Sequence, residues 1–526
     1  VSDAAAAGPG DPIVGVGPQL DVRLVPAALT SWIVTAVGIG WPIGATCAAC
    51  CALLAIGAGV LSWLALSRPN RTDRLRAVSS GLVAIGVVGA GYGLAIALRA
   101  EASGSHPIGA AFGTSAPVTV TPSESPLSLG SGRLMFRANL QRLRDEELTG
   151  RVVVFARASE FGEVVVGRPI RFTARITRPA RRDLTVAVLN AVGRPTPGRA
   201  GVVQRAAHTV RGRFAQAACE ALPVDQAAML PALVLGDTSM VSTVTSREFR
   251  TAGMTHLTAV SGANVTMVCA AVLLVARWLG PRVAVALAGV ALLAFVIVVQ
   301  PTASVLRAAV MGAIALAAML TSRRRQAIPA LSATVLVLMV AAPQLAVDVG
   351  FALSVVATAA LIVIAPGWSV RLVGRGWPKP LADALAVATA AQLVTAPLVA
   401  AISGRFSLVA VVANLAVAAT IVPITVLGSA AAALVVPWPA GAQLLIRGTG
   451  PELWWVLRIA RWASEVPAAT IPVPTGPAGL IIVGGVTMLV VALWRFRWFA
   501  LPMRAALVTA AGCLLAWSLA GLVGRP

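Results

Sequence analysis

Residues 255–268 read THLTAVSGANVTMV. A histidine, three threonines, a serine and an asparagine interrupt what the surrounding hydropathy marks as a membrane span over 255–276. Polar side chains in hydrocarbon are costly and usually have a task. On a helix, His256, Val260 and Asn264 share one face and Ser261 lies one turn from Asn264. Gly262 would let another backbone approach closely. Two readings stay open: hydrogen-bonded glue between helices, or the lining of a water-filled path.

The rest of the chain shares this apolar setting. Of its 526 residues, 58% are hydrophobic and 12% charged, about half the ~25% charge of soluble domains. Many apolar runs approach the ~20 residues needed to cross a bilayer. The expected fold is a polytopic α-helical membrane protein of about 11–13 spans with an inserted extracytoplasmic small β-barrel (OB-like) domain.

Residues 1–23 form an acidic lead without the positive start of a signal peptide. The amino-terminal spans occupy 24–98, the first two joined by a Gly-Trp-Pro turn. RPNRTDRLR, residues 68–76, carries four arginines against one acid and belongs in the cytoplasm. The next span delivers the chain outside. The CAACC of Cys47, Cys50 and Cys51 reads as small hydrophobes rather than a metal site.

Over 103–215 short β-type runs replace the apolar ones: SAPVTVTP, GRLMFRANLQRL, GRVVVFARA, RPIRFTARITRP and DLTVAVLNAV. Five such strands suggest an OB-like barrel, a fold that often binds nucleic acids or sugars. From Arg133 to Arg213 there are 17 arginines and six acids, a balance of +11. The positive-inside rule does not explain that charge outside the membrane. A solvated basic face, contact with anionic headgroups and a polyanion track all fit. Arg133, Arg137, Arg171, Arg175, Arg178, Arg181 and Arg182 are the outer candidates for DNA, with Phe136, Phe155, Phe161 and Phe172 as core or base-stacking groups.

An amphipathic helical connector, 216–254, reads as interfacial. A transmembrane core follows over 255–436, its last run, 408–436, broken by Pro423 into two half-spans. Arg323, Arg324 and Arg325 mark a cytoplasmic loop. Residues 437–477 hold an interfacial helix rich in Trp454, Trp455, Arg458, Arg461 and Trp462. Carboxy-terminal spans, the last at 505–523, fill 478–526.

Further polar groups stand on the spans. Ser304 and Arg307 lie three apart at the start of one, where the arginine either snorkels or faces a polar cavity. Asp348 sits near an outer end, where an arginine partner would satisfy it. Gln392, Thr395 and Asn414 read as helix–helix glue. Three histidines, His106, His208 and His256, are too scattered for a binuclear hydrolase. There is no P-loop, and His256 and Ser261, five positions apart on a helix, point in different directions. No catalytic residue, metal or cofactor is expected.

The motifs in combination resemble those of the ComEC family of competence proteins, inner-membrane DNA channels of natural transformation. LVLGDTSMVSTVTSREFRTAGMTHLTAVSGANVTMV resembles the opening of its competence domain; PTASVLRAAVMG, DVGFALSVVATAAL, AAQLVTAPL and SLVAVVANLAV follow in the family's order. The family commonly has histidine where Asn264 stands, so a hydrogen-bonding role is implied there rather than protonation. Many members also carry a carboxy-terminal metallo-β-lactamase-like domain, which is not expected in this chain. The resemblance implies import of single-stranded DNA past His256, Ser261, Asn264, Ser304, Arg307, Asp348, Gln392 and Asn414. Its partners would be the lipid bilayer, a separate DNA receptor, a nuclease and a cytoplasmic motor; no motif encodes an oligomeric state. A transporter of lipid or another anionic polymer, or a membrane scaffold with a basic outer domain, fits the same composition. Salt-sensitive binding of single strands separates these alternatives.

Overall fold

The computed structural model describes residues 21–41, 43–66, 72–162, 164–320 and 326–495. Most of the amino-terminal lead, Arg323–Arg325, Arg497, Cys513 and the span expected at 505–523 lie outside them.

Three helices open the described chain: α1 (Val25–Gly40), α2 (Gly44–Leu66) and α3 (Thr72–Gly104). Small residues let α2 and α3 approach closely, since a Cβ on Gly86 would stand 2.7 Å from the Ala55 nitrogen and the Cys51 carbonyl oxygen. The CAACC cysteines lie on α2 as free thiols, Cys50 exposed and the other two half-buried. Hydrogen bonds to a later helix pair tie this block down. Trp32 Nε1 donates to the Ala346 carbonyl at 2.9 Å, and the Tyr92 hydroxyl to that of Leu336 at 2.7 Å.

The barrel is built from β1 (Ser115–Pro122), β2 (Leu127–Gly130), β3 (Arg133–Leu143), β4 (Glu146–Arg157), the one-turn helix α4 (Ala158–Phe161), β5 (Ile170–Thr177) and β6 (Ala187–Pro197). Its order is β1-β5-β6-β4-β3, closed by a β1–β3 pairing. β4 and β6 run parallel; the other closing pairs are antiparallel. A helix between the third and fourth barrel strands completes the connectivity of an OB fold. β2, unforeseen as a strand, only extends the β3 edge.

Alternation decides which side chains fill the barrel. Phe172, Ala174 and Ile176 of β5 point inward, while Arg171, Thr173 and Arg175 are exposed. Phe136, Phe161 and Phe172 are interior, with centroids of neighbouring rings 6.4 and 5.2 Å apart, worth about 0.5–1.5 kcal/mol per pair beyond their burial. Base stacking is therefore ruled out for these three. Phe155 is half-buried on the outer wall, with the Arg133 guanidinium 5.9 Å from its ring centre.

Beyond the barrel come α5 (Val202–Ala221), α6 (Val224–Leu235) and α7 (Thr243–Thr251). The interfacial reading fails for α6. Every residue from Ala227 to Leu235 is buried, because after Asp225 and Gln226 the sequence AAMLPALVL offers no polar face.

The membrane core comprises α8 (Gly262–Ala276), α9 (Pro281–Val299), α10 (Ala303–Leu320), α11 (Ala327–Ala341), α12 (Val349–Val363), α13 (Ala365–Val373) and α14 (Lys379–Ser403). β7 (Arg405–Ser407), α15 (Ala410–Leu434), α16 (Pro439–Gly448), α17 (Gly450–Glu465), β8 (Thr470–Pro472) and α18 (Gly476–Arg495) follow. Among the described residues eight helices are long and apolar enough to cross a membrane, with α1, α6, α11 and α18 as shorter apolar helices.

Two expectations are corrected here. The span at 255 does not begin as a helix: a 3-10 turn over Thr255–Leu257 leads through a loop to α8. His256, Val260 and Asn264 therefore share no helical face. Within the run at 408–436, α15 is one continuous helix over Ala410–Leu434 with Pro423 inside it. Proline removes one backbone bond, and packing on both sides of that point, Val417 and Ile424 in the main core, holds the helix together. The two half-spans, and the loop side they would assign to Arg495 and Arg497, lose their basis. α17 does carry the mixed face expected of it. Leu453, Val456, Leu457 and Ala460 are buried in the main core, while Trp454 and Trp462 remain exposed.

Candidate functional site

The site gathers around the carboxyl end of α6. Gly236, at φ +70°, turns the chain there. Its N–H reaches the Ala232 carbonyl and that of Asp237 the Pro231 carbonyl, the first of them the bond of an αL C-cap. The last carbonyls of α6 remain without helical donors. Asn264 Nδ2 supplies one at Leu233, 3.1 Å away, and Arg211 Nη1 another at Leu235, at 3.2 Å.

Arg211 does more than cap α6. It also donates to the Val298 and Val299 carbonyls at the end of α9, at 3.1 and 3.4 Å, and pairs with Asp237 at 3.1 Å. Burial pushes the Asp237 carboxyl up, but hydrogen bonds from Ser239 and the charge of Arg211 outweigh it, leaving its pKa below the ordinary value. Neither residue stands out in the sequence; the Gly-Asp after an apolar run was the available signal, a helix C-cap.

Between α6, the 3-10 turn, α8 and α15 lies a cavity of about 170 Å³, lined by Leu233, His256, Leu257, Ser261, Ala263, Asn264, Ile421, Ile424 and Thr425. It brings three of the sequence candidates together and adds Thr425, which is buried on α15. Ser261 is the N-cap residue of α8 but makes no capping bond; its hydroxyl donates instead to Asn264 Oδ1 at 3.4 Å.

Arg307 stands on another side of the α8 amino terminus. It is 6% exposed, so it does not snorkel to the interface. Its Nε donates to the Ser354 hydroxyl at 2.7 Å and its Nη1 lies 3.2 Å from the Met311 sulfur. Among the described residues no carboxylate pairs with it. A Cβ on Gly262 would come within 2.9 Å of Nη2, so the absent side chain lets the guanidinium lie against the helix start. Both groups carry positive charge there. Ser304 lies half-buried one turn away on α10.

The remaining candidates are dispersed. Asp348 caps α12 by accepting from the Phe351 N–H at 2.8 Å and lies 4.0 Å from Arg137 of the barrel. Asn414 donates to the Ala410 carbonyl at 2.8 Å and to that of Gly253 at 3.4 Å. Gln392 is half-buried on α14, which packs against α12, α13, α15 and α18.

The Asp348–Arg137 contact belongs to a junction between barrel and bundle. Arg137 also pairs with Glu124 at 3.1 Å. Ser125 donates to the Gln300 side-chain carbonyl at 3.3 Å, and Gln300 has φ +76°, a conformation costing about 1–3 kcal/mol. Among the described residues Arg151 Nη1 is buried without a hydrogen-bond partner. Burial and neighbouring Arg137 lower the Arg151 pKa, opposed by Glu124, Asp183 and Asp348. The other outer candidates, Arg133, Arg171, Arg175, Arg178, Arg181 and Arg182, are exposed.

Residues 233–498 match the family model described as Competence: Competence protein, just over half of the chain. The chain belongs to the ComEC family of competence proteins. The match takes in the end of α6, the cavity and Arg307; the barrel and the amino-terminal helices lie before it. Neither the comparison with curated proteins nor that with solved structures returned a match. This ComEC-family chain is a multi-pass membrane protein, and its role lies in competence, the uptake of DNA.

Proposed function

We propose that the chain conducts single-stranded DNA across the cytoplasmic membrane, with the barrel on the extracytoplasmic side. Arg307 carries this reading. A buried cation without a counter-ion is costly, and here it faces the positive end of a helix. A phosphate passing between Arg307 and the first turn of α8 would relieve both, as anions do at helix amino termini. The contact must stay loose, because a conduit has to release what it binds.

The exposed arginines of the barrel would collect the strand first, through phosphate contacts sensitive to salt. Ser304 and the cavity residues His256, Ser261 and Asn264 would provide polar surface near Arg307. Asp348, Gln392 and Asn414 have structural partners or lie apart and would act by holding helices. A separate receptor, a nuclease and a cytoplasmic motor would deliver, prepare and pull the strand.

The test is nuclease-protected entry of labelled single-stranded DNA into liposomes holding the full chain and, if entry needs pulling, a strand-binding protein inside. Entry that drops tenfold or more in Arg307→Gln supports the conduit. Entry equal in wild type and variant removes Arg307 from the path. Loss of entry with retained uptake of anionic lipid would favour a lipid transporter.

A further inference from the structure

A second cavity lies between α1, α3 and the end of α11. It is a groove of about 250 Å³ whose α3 lining includes Val87, Val88, Gly91, Tyr92, Ala95 and Arg99. The α3 residues recur at helical spacing, so the groove follows one face of that helix. From Val87 to Arg99 the helical rise amounts to about 18 Å. One leaflet of hydrocarbon is about 15 Å thick. The groove therefore runs the depth of a leaflet and ends at a cation.

The polar groups along it are mostly occupied. The Tyr92 hydroxyl donates to the Leu336 carbonyl. One nitrogen of Arg99 donates to the Val340 carbonyl at 2.9 Å; the other guanidinium N–H groups have no partner among the described residues. Arg99 is exposed and lies a few residues before the end of α3, on the side from which the chain enters the barrel. Glu101, two positions on, is turned to a different face of the helix. An apolar slot one leaflet deep with a free cation at its mouth complements an acyl chain joined to an anionic head.

We infer that this groove binds one glycerophospholipid of the barrel-side leaflet. One acyl chain lies along Val88, Tyr92 and Ala95, and the headgroup phosphate pairs with Arg99. The bound lipid would fill the space between α1, α3 and α11 and so join the amino-terminal helices to the core.

Two variants test the site independently. Gly91 lines the groove, and a Cβ there would meet nothing within 4 Å, so Gly91→Phe fills the slot from open space. Arg99→Gln removes the cation and keeps a donor for Val340. The full chain, purified in mild detergent and supplied with phosphatidylglycerol, is examined by native mass spectrometry, with dodecyl detergent alone and inorganic phosphate as controls. One phospholipid retained per wild-type chain is expected, with retention at least fivefold lower in each variant and neither control giving a bound species. Equal retention by wild type and both variants, or none by the wild type, would overturn the assignment. Binding of single-stranded DNA is expected to be unchanged, which separates loss of this lipid from damage to the fold.

Discussion

The Arg307 Nη2 atom lies so near Gly262 that a Cβ added there would stand 2.9 Å from it. The obstacle is the far end of a flexible side chain, not backbone. Gly262→Ala should therefore cost little stability, on the order of 1 kcal/mol, while moving the guanidinium off the start of α8. If Arg307 serves passing phosphates, strand entry should fall several-fold in Gly262→Ala with normal amounts of folded protein. Thermal unfolding beside the liposome assay checks this; unchanged entry would mean that the position of the guanidinium is immaterial.

Asn264 and Ser261 share a cavity, but their bonds differ in kind. Asn264 satisfies a carbonyl of α6 that lacks a helical donor, at 3.1 Å. Among the described residues the Ser261 hydroxyl has only the longer contact to Asn264. Asn264→Leu should destabilise the bundle by about 1–2 kcal/mol, and Ser261→Ala by less than about 0.5 kcal/mol. Equilibrium unfolding of both variants would order them. If entry through Asn264→Leu stays normal once folding is secured, its role is helix joining alone.

The Arg211–Asp237 pair gives a pH signature. The Asp237 pKa is lowered in the folded protein, so its contribution is present above the ordinary carboxylate pKa of about 3.9. It is lost as pH falls through the lower folded value. Thermal stability between pH 3 and 7 should therefore show an acid limb that is shallower in Asp237→Asn, together with a lower neutral plateau. Arg211→Met leaves Asp237 unpaired and three carbonyls without their donor; a loss of about 3 kcal/mol is expected at neutral pH.

The barrel was legible because its strands write their orientation into alternating residues: Arg171, Thr173 and Arg175 against Phe172, Ala174 and Ile176. The start of α8 was not. The polar residues of Thr255–Ser261 read equally well as a polar turn of a span, and only a Ser-Gly pair hints that the helix begins at Gly262. The burial of α6 was implicit in AAMLPALVL, but an apolar run of this length fits an interfacial segment as well as a buried core helix. Asp348 suggested an arginine partner but not which one, since Arg137 lies 211 positions away and on another domain. Such a pairing is set by docking, not by spacing.

That pairing yields the last prediction. Glu124 and Asp348 both lie near Arg137 and compete with any phosphate for it. Asp348→Asn removes the charge while keeping a good N-cap for α12, so the helix should be spared the ~1 kcal/mol that alanine would cost. Single-strand binding by the full chain, followed by fluorescence anisotropy over a salt series, should become tighter in Asp348→Asn at low salt. The slope of log affinity against log salt should steepen by up to about 0.7, the contribution of one phosphate contact on a single strand. Arg171→Ala and Arg175→Ala, on the exposed wall of β5, should each flatten it by about 0.7. A slope that none of the three variants alters would place the strand elsewhere than on this barrel.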